Sequence, residues 1–422
     1  MTKRRLAAAA LAALGAASAA RAVRGQSLIV ERPRTFVVGA PSGGARADRV
    51  DGARSGRTTV RLPASPLKSE WRIPLGTLVE RAPLVDEHGT TIVVGKRGEV
   101  IAIARDGTER WHVATGAGQP GPAALLSDGT VVFVDAAGEA VAVRRGAVAW
   151  RRRFGRSDAA RPAPLPLDDG GVVVATLQEI ALLDAEGTER ARAPLPEPTV
   201  LPLVAAGGQV LLVALSGTVW SWGLGLEEPT RVASFGSPVD GAAALADPTT
   251  LIGVTAEQLH VAAVDLARGD AKTLAVAPVG QWLGPPAVLG STIYVGLLTP
   301  TSELALTLGV DGKELSRTLL ALHPPAPSAD GGAAPIHPLH TPPLVDAAGT
   351  MAFATADGAI GVVHHETVEP LSDACEPPLG TAARDAPAVV ALASLEPGAM
   401  VAVCHAGAVL AIVERTPAIQ SR

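Results

Sequence analysis

A proline recurs along this chain at a nearly fixed interval. It stands at Pro83, Pro122, Pro164 and Pro202, gives way to Ala243, and returns at Pro286, Pro343 and Pro387. The steps are 39, 42, 38, 41, 43, 57 and 44 residues. Trp71, Trp111 and Trp150 keep the same period, at 40 and 39. Such self-similarity means that each repeat is one supersecondary unit, stable only when stacked on its neighbours. The clearest unit is "APLVDEHGTTIVVGKRGEVIAIARDGTERW", Ala82 to Trp111. It parses into four short strands, "PLVD", "TTIVVG", "EVIAIA" and "TERWHV", separated by turns at His88-Gly89, Arg97-Gly98 and Asp106-Gly107.

Eight such units fill the chain from Ala82 to Arg415, the fifth of them weaker than the rest. The 57-residue step contains "LHPPAPSADGGAAPIHPLHTP", Leu322 to Pro342, whose composition is that of a flexible loop. Four short strands per forty or so residues predict an all-β fold, a β-propeller of four-stranded blades. Eight blades are favoured, and seven follow if the fifth unit merges with a neighbour. A string of β-sandwiches would not demand one period throughout, and a solenoid would leave two end faces to cap. A propeller closes on itself with a strand from the other end of the chain, and "SLIVERPRTFVVGA", Ser27 to Ala40, is the candidate closing strand. Composition agrees: Gly 45 and Pro 35 supply turns, while aromatics at 3% leave a core of small aliphatic side chains.

The expected organisation is a signal peptide over residues 1–22, a lead-in over 23–70, the propeller over 71–415 and a tail over 416–422. "MTKRRLAAAALAALGAASAARA" has a basic start, a short apolar stretch from Leu6 to Ala20 and small-residue cleavage options ending at Ala19 and Ala22. No Cys stands near for lipid attachment, and no later stretch suits a transmembrane helix. A periplasmic or secreted monomer is expected. The net charge of −5 argues against nucleic-acid binding. In an oxidising compartment Cys375 and Cys404 are a candidate disulfide closing a loop of about 30 residues; two buried thiols on neighbouring strands are the alternative.

The repeat form P-x-h-x-D-G-T-h-h-h-G, followed by G-x-h-h-A-h and a later W (h apolar), resembles the PQQ-type β-propeller repeat. The lead-in "ARADRVDGARSGRTTVRLPASPLKSEWRIPLG", Ala45 to Gly76, is similar to the segment before the first repeat in many exported members. In dehydrogenases of this family the resemblance implies a quinone on the propeller axis. A Trp and often a vicinal disulfide flank it, and a calcium ion is held by Glu, Asn and Asp. This chain departs from that pattern. Its two cysteines are 29 positions apart and it has no Asn. "AIARDGTERW" keeps Ala102, Gly107 and Trp111 of the docking form but not its T-G-K core.

No catalytic, cofactor or metal residue is therefore assigned. "GKR" at Gly95–Arg97 lacks the spacing of a phosphate loop. His323, His337 and His340 lie in the long loop and His364-His365 in the seventh unit; scattered imidazoles are the expectation, a metal site the alternative. The six arginines of "RRGAVAWRRRFGR", Arg144 to Arg156, read as a solvated sheet edge ahead of an anionic contact. Trp220 and Trp222 share one strand face and are expected in an inter-blade layer. The leading expectation is a non-enzymatic scaffold for protein partners in the cell envelope, since related propellers serve outer-membrane protein assembly. The competing class is a quinone-dependent enzyme or small-ligand binder using the axial funnel. Asp86, Asp128, Asp168 and Asp346 would then line one rim, although all four also suit a role as turn formers.

Overall fold

In the computed structural model, strand burial follows directly from strand sequence. The described residues are 45–47, 49–51, 53–155, 162–255, 259–277, 279–322, 341–355, 358–364, 370–371, 374–375 and 389–415. Second strands such as Thr91–Val94 (TIVV), Val131–Val134 (VVFV) and Val172–Ala175 (VVVA) are buried at every position. They read as unbroken apolar runs because protein covers both faces of the sheet. The fourth strand Glu109–Ala114 (ERWHVA) alternates exposed and half-buried positions instead, as a strand with one wet face does. Gly89, Gly98 and Gly107 close the three turns of this unit at φ of 74°, 81° and 86°, left-handed conformations that glycine adopts without a steric penalty.

Eight antiparallel sheets result, and no helix occurs among the described residues. Blades 1 to 7 span residues 84–114, 123–153, 165–194, 204–234, 239–276, 281–322 and 344–363. Blade 7 shows three strands among the described residues and every other blade four. Blade 8 joins the two ends of the fold. Residues 389–414 give its three inner strands, and Leu67–Pro74 is its outer strand, antiparallel to Ala408–Glu414 from Leu67↔Glu414 to Pro74↔Ala408. Closure thus falls to the segment just before the first repeat. The expected closing strand Ser27–Ala40 lies outside the described residues, as does the expected signal peptide.

The core is divided into eight apolar layers, one between each pair of adjacent blades. Leu84, Ile92 and Val100 of blade 1 meet Leu125, Val131 and Phe133 of blade 2, and so on around the ring. Ile101 and Ile103 of blade 1 pack against Val401, Val403 and Val409 of blade 8, closing the circle. Aliphatic side chains at native packing density fill these layers, which is why the chain manages with so few aromatics. Trp220 and Trp222 both face the layer between blades 3 and 4, Trp222 fully buried.

The periodic tryptophans clamp neighbouring blades from outside. The Trp71 ring covers Gly107 and its Nε1–H donates to the Arg105 carbonyl at 2.9 Å. Trp150 covers Gly187 and donates to the Ala185 carbonyl at 3.0 Å, and Trp111 covers Gly146. A register shift between the third and outer strands falls beside each of these tryptophans, at Ser69/Trp71, Ala102/Ile103 and Ala142/Val143. Such a bulge re-aims a side chain. Here it turns the indole onto the next blade. "RDGTERWHVATG" therefore contains one receiving glycine, Gly107, and one docking indole, Trp111. In blade 3 the equivalent position, next to a shift at Leu182/Leu183, is Ala191.

Candidate functional site

The proline repeat marks the axis. Pro83, Pro122, Pro164, Pro202 and Pro343 stand just before an inner strand, Ala243 and Pro286 lie within one, and Pro387 is outside the described residues. Proline suits an inner edge because it has no N–H to leave unpaired. Its carbonyl remains as an acceptor, and other inner-strand residues present N–H donors. The lead-in segment meets both, with its own carbonyls and with the guanidinium groups of Arg49 and Arg54.

The described residues between 45 and 62 run into the axis and bond to all eight blades. Val85 N of blade 1 donates to Ala45 O at 2.9 Å, and Leu125 N of blade 2 to Arg46 O at 2.7 Å. Leu245 N of blade 5 donates to Ala53 O at 2.9 Å and Val288 N of blade 6 to Ser55 O at 2.8 Å. Blade 7 exchanges two bonds through Val345, with Gly56 O and Thr58 N. In blade 8, Gly398 N donates to Arg61 O at 2.8 Å and the Thr58 hydroxyl to Ser394 Oγ at 2.8 Å. Arg54 links the remaining two: its Nε donates to Leu203 O beside blade 4 at 2.8 Å, and its Nη2 to Pro164 O and Ala163 O beside blade 3 at 2.9 and 3.2 Å. Arg49 Nη1 donates to Pro285 O at 2.8 Å, and its Nη2 to Pro286 O.

Arginine fits these positions because it carries five N–H donors and no acceptor. Arg54 has no exposed surface at all, and Asp51, 2% exposed, lies nearby. Burial pushes the Asp51 carboxyl above its ordinary range, against the hydrogen bonds from Ser55 and the charges of Arg57 and Arg54. Ser55 N and Oγ donate to its two oxygens at 3.0 and 2.7 Å. The backbone here is held out of its easy conformations: Arg49, Val50 and Arg54 have φ of 59°, 78° and 55°. For a β-branched residue such as Val50 that is a genuine outlier, sustained only where surroundings over-determine it. A Cβ on Gly56 would lie 2.5 Å from Arg49 Nη2 and 3.1 Å from Pro343 O, so only glycine fits.

Above this plug lies a blind cavity of about 390 Å³, within the usual range for ligand pockets. Arg49, Val50 and Gly56 form its floor. Its wall is made by ruler prolines or their neighbours, among them Ala82, Pro122, Ala163, Pro202, Pro285 and Pro343. Two more charged residues face it, Glu80 and Arg81. Burial raises the Glu80 pKa, but the hydrogen bond and charge of Lys96 (Nζ–Oε1 2.6 Å), then Arg81 and His405, outweigh that and hold the carboxyl below its ordinary range. Arg81 has no hydrogen-bond or ion-pair partner among the described residues, and its Nε is buried without one.

None of the four candidate rim carboxylates lines this cavity. They sit at the opposite ends of the inner strands and act on their own turns. Asp86 Oδ1 accepts from His88 N and Thr90 N at 2.9 and 2.7 Å, and Asp128 Oδ1 from Thr130 N at 2.9 Å. In the turn that holds Asp168, Asp169 Oδ1 accepts from Gly171 N at 3.0 Å. Asp346 accepts from Ala348 N and Thr350 N and, through Oδ2, from Leu62 N of the plug at 3.0 Å. Of the arginine run, Arg144 pairs with Asp128 at 2.7 Å, Arg151 with Glu139 at 2.6 Å, and Arg152 Nε donates to Gly187 O at 2.7 Å; Arg156 lies outside the described residues. His364 Nδ1 is 3.1 Å from the Thr350 hydroxyl, while His323, His337, His340 and His365 lie outside the described residues. Cys375 and Cys404 are buried together at disulfide spacing, Cα–Cα 5.5 Å.

Eight radial blades around one axis define an eight-bladed β-propeller. The sequence profile of the family described as outer membrane protein assembly factor BamB matches residues 39–225 and 96–271, together more than half of the 422-residue chain. The chain belongs to that family of PQQ-type propellers. No curated protein sequence matches it. Among solved structures it is similar to BamB from Moraxella catarrhalis, with 16% identity, TM-score 0.57 and 83% of this chain and 98% of that chain covered. It is also similar to the quinohemoprotein alcohol dehydrogenase from Comamonas testosteroni, with 12% identity, TM-score 0.63 and 89% and 82% covered. A europium-containing methanol dehydrogenase gives 10% identity, TM-score 0.62 and 88% and 98% covered. At these identities the likeness is one of fold.

The resemblance to quinone enzymes implied a quinone and a calcium ion on the axis. In this chain residues 45–62 run through the axis, and the remaining space is lined by two arginines, one glutamate and small apolar residues. Among the described residues no three His, Cys, Asp or Glu side chains come together in a metal-holding group. The residues at the axis do not fit a calcium-assisted quinone.

Proposed function

We propose that this protein is an exported scaffold of the cell envelope, a rigid disc whose loops hold protein partners. One observation carries the reading: the chain's own lead-in occupies the axial position and is bonded to every blade. The molecule spends its axis on rigidity, and what it offers to other molecules is its two loop-bearing faces. Family membership supports the same reading, because the family is described by a role in outer-membrane protein assembly. Export accords with the signal-like N-terminus and with the facing cysteines.

The competing use of the pocket for a redox cofactor finds no donor set among the described residues. The test is affinity capture after in-cell cross-linking, followed by reconstitution from purified components. The scaffold reading expects one or a few envelope proteins that re-form a stable complex with the purified chain. Capture no better than with an unrelated propeller contradicts it. So does a thermal shift of several degrees with pyrroloquinoline quinone and Ca²⁺ that Arg54→Met abolishes.

A further inference from the structure

Around the axial cavity the surface combines one unsatisfied cation with exposed aliphatic side chains. Arg81 faces the cavity, and its guanidinium is the one charged group there with no hydrogen bond or ion pair among the described residues. Its nearest carboxylate neighbour in charge, Glu80, is already engaged by Lys96 Nζ at 2.6 Å. The Arg49 guanidinium in the floor donates to the Pro285 and Pro286 carbonyls. The mouth thus holds one carboxylate, Glu80, which Lys96 already engages, and the Arg81 guanidinium beside it.

Its rim is apolar. Val200 lines the cavity and is 45% exposed; Leu215, also 45% exposed, lies on a turn of blade 4 whose backbone donates from Leu215 N to Pro198 O, two residues before Val200. Leu78, 42% exposed, stands on the connection that leads to Glu80 and Arg81. A buried donor without a partner is costly and is normally satisfied, and arginine beside aliphatic residues is a typical anchor at protein interfaces.

We propose that the axial mouth recognises an aspartate or glutamate side chain within an extended segment of a partner protein. Arg81 receives the carboxylate in the cavity, and Val200, Leu215 and Leu78 take the flanking apolar residues. The aliphatic rim favours a peptide over a free carboxylate, since a small acid reaching Arg81 would leave these side chains bare. The carboxylate meets a planar fork of donors in a partly desolvated site, where charge-assisted bidentate bonds are strong. The proposal rests on the scaffold reading and narrows it to one surface.

The experiment is selection of random dodecapeptides displayed on phage against the intact chain, followed by fluorescence polarisation with the best labelled peptide. Selected peptides are expected to carry Asp or Glu next to Leu, Ile or Val. Arg81→Met is expected to weaken binding about 30-fold, the effect of removing one partner of a desolvated charge pair. Arg81→Lys recovers part of the affinity, and Asp→Asn in the peptide matches the Met variant. Val200→Asp, a second variant at an exposed position, weakens binding by placing a like charge at the mouth. Equal melting temperatures for wild type and variants show that the fold is unchanged.

No acidic enrichment, or affinity indifferent to Arg81 and Val200, overturns the assignment. Competition by citrate or succinate at the peptide's own affinity overturns the peptide in favour of a free carboxylate. Capture of envelope partners in parallel separates the two ideas. A complex reconstituted equally well with Arg81→Met removes this site and leaves the scaffold, whereas no complex with wild type removes the scaffold itself.

Discussion

Arg54→Met is the perturbation that most sharply probes the plugged axis. It keeps the length and apolar stem of a side chain with no exposed surface and deletes, among the described residues, bonds to Ala163 O, Pro164 O and Leu203 O. A hydrogen bond to a charged donor contributes roughly 1.5–3 kcal/mol net. At the low end the three sum to about 4.5 kcal/mol, close to the 3–5 kcal/mol typical of breaking a buried charged contact. Unfolding entropy near about 2.1 cal/mol/K per residue, over about 370 folded residues, gives roughly 0.8 kcal/mol/K. The melting temperature should therefore fall by about 6 °C in differential scanning calorimetry. Arg54→Lys keeps the charge but loses the planar fork, and should fall between the two. Arg190→Ala, which removes an exposed pair with Asp184, is the control and should stay within about 1 °C of wild type. A Met variant that melts with wild type would refute the reasoning, because it would mean that Arg54 does not join blades 3 and 4.

Gly187→Ala should cost about 3 kcal/mol by urea denaturation, since φ is +75° and the new Cβ would lie 2.5 Å from the Trp150 ring. Gly116→Ala, at φ +72° with open space around it, should cost only about 1 kcal/mol, and equal losses would contradict the docking of Trp150. We also propose that the Cys375–Cys404 bond forms in the exported protein. Non-reducing mass spectrometry should then find no free thiol, and Cys404→Ser should lower stability by about 3 kcal/mol only in the absence of reductant. Asp51 gives a pH signature: its folded-state pKa is raised, so the native state binds the extra proton and loses stability as pH climbs from 3.8 through the raised value. Asp51→Asn lacks that loss, so its stability relative to wild type should improve over the same interval and then level off; a difference flat with pH would contradict the assignment.

The fold was legible because a propeller repeats its instructions. Spacing of proline, glycine and tryptophan located the inner edges, the turns and the outer clamps, and the unbroken VVFV and VVVA runs told buried strands from the alternating ERWHVA. The plug was not legible. "ARADRVDGARSGRTT" is polar and glycine-containing, which locally reads as loop. Its burial is decided by N–H groups and carbonyls brought from eight separate units, information that no local window contains. The available signal was the concentration of Arg49, Asp51, Arg54 and Ser55 outside the repeats, in a stretch that resembled family members. The rim carboxylates Asp86, Asp128, Asp168 and Asp346 were legible as turn residues, but which end of the channel stays open depends on where the plug sits. Arg81 went unnoticed because nothing in "LVERAPLVD" distinguishes an unpartnered arginine from a solvated one.

Hydrogen exchange of residues 45–62, read by mass spectrometry on the native protein, tests the central claim most directly. Val50, Asp51, Arg54, Gly56 and Thr58 donate backbone bonds inside the axis, and Ser55 and Leu62 donate to buried carboxylates. The account predicts that peptides covering this segment exchange as slowly as Val131–Val134 and Val172–Ala175 in the blade cores. Exchange at the rate of an unstructured tail, with the blades still protected, would mean that the axis is open and that the plug is not part of the native fold.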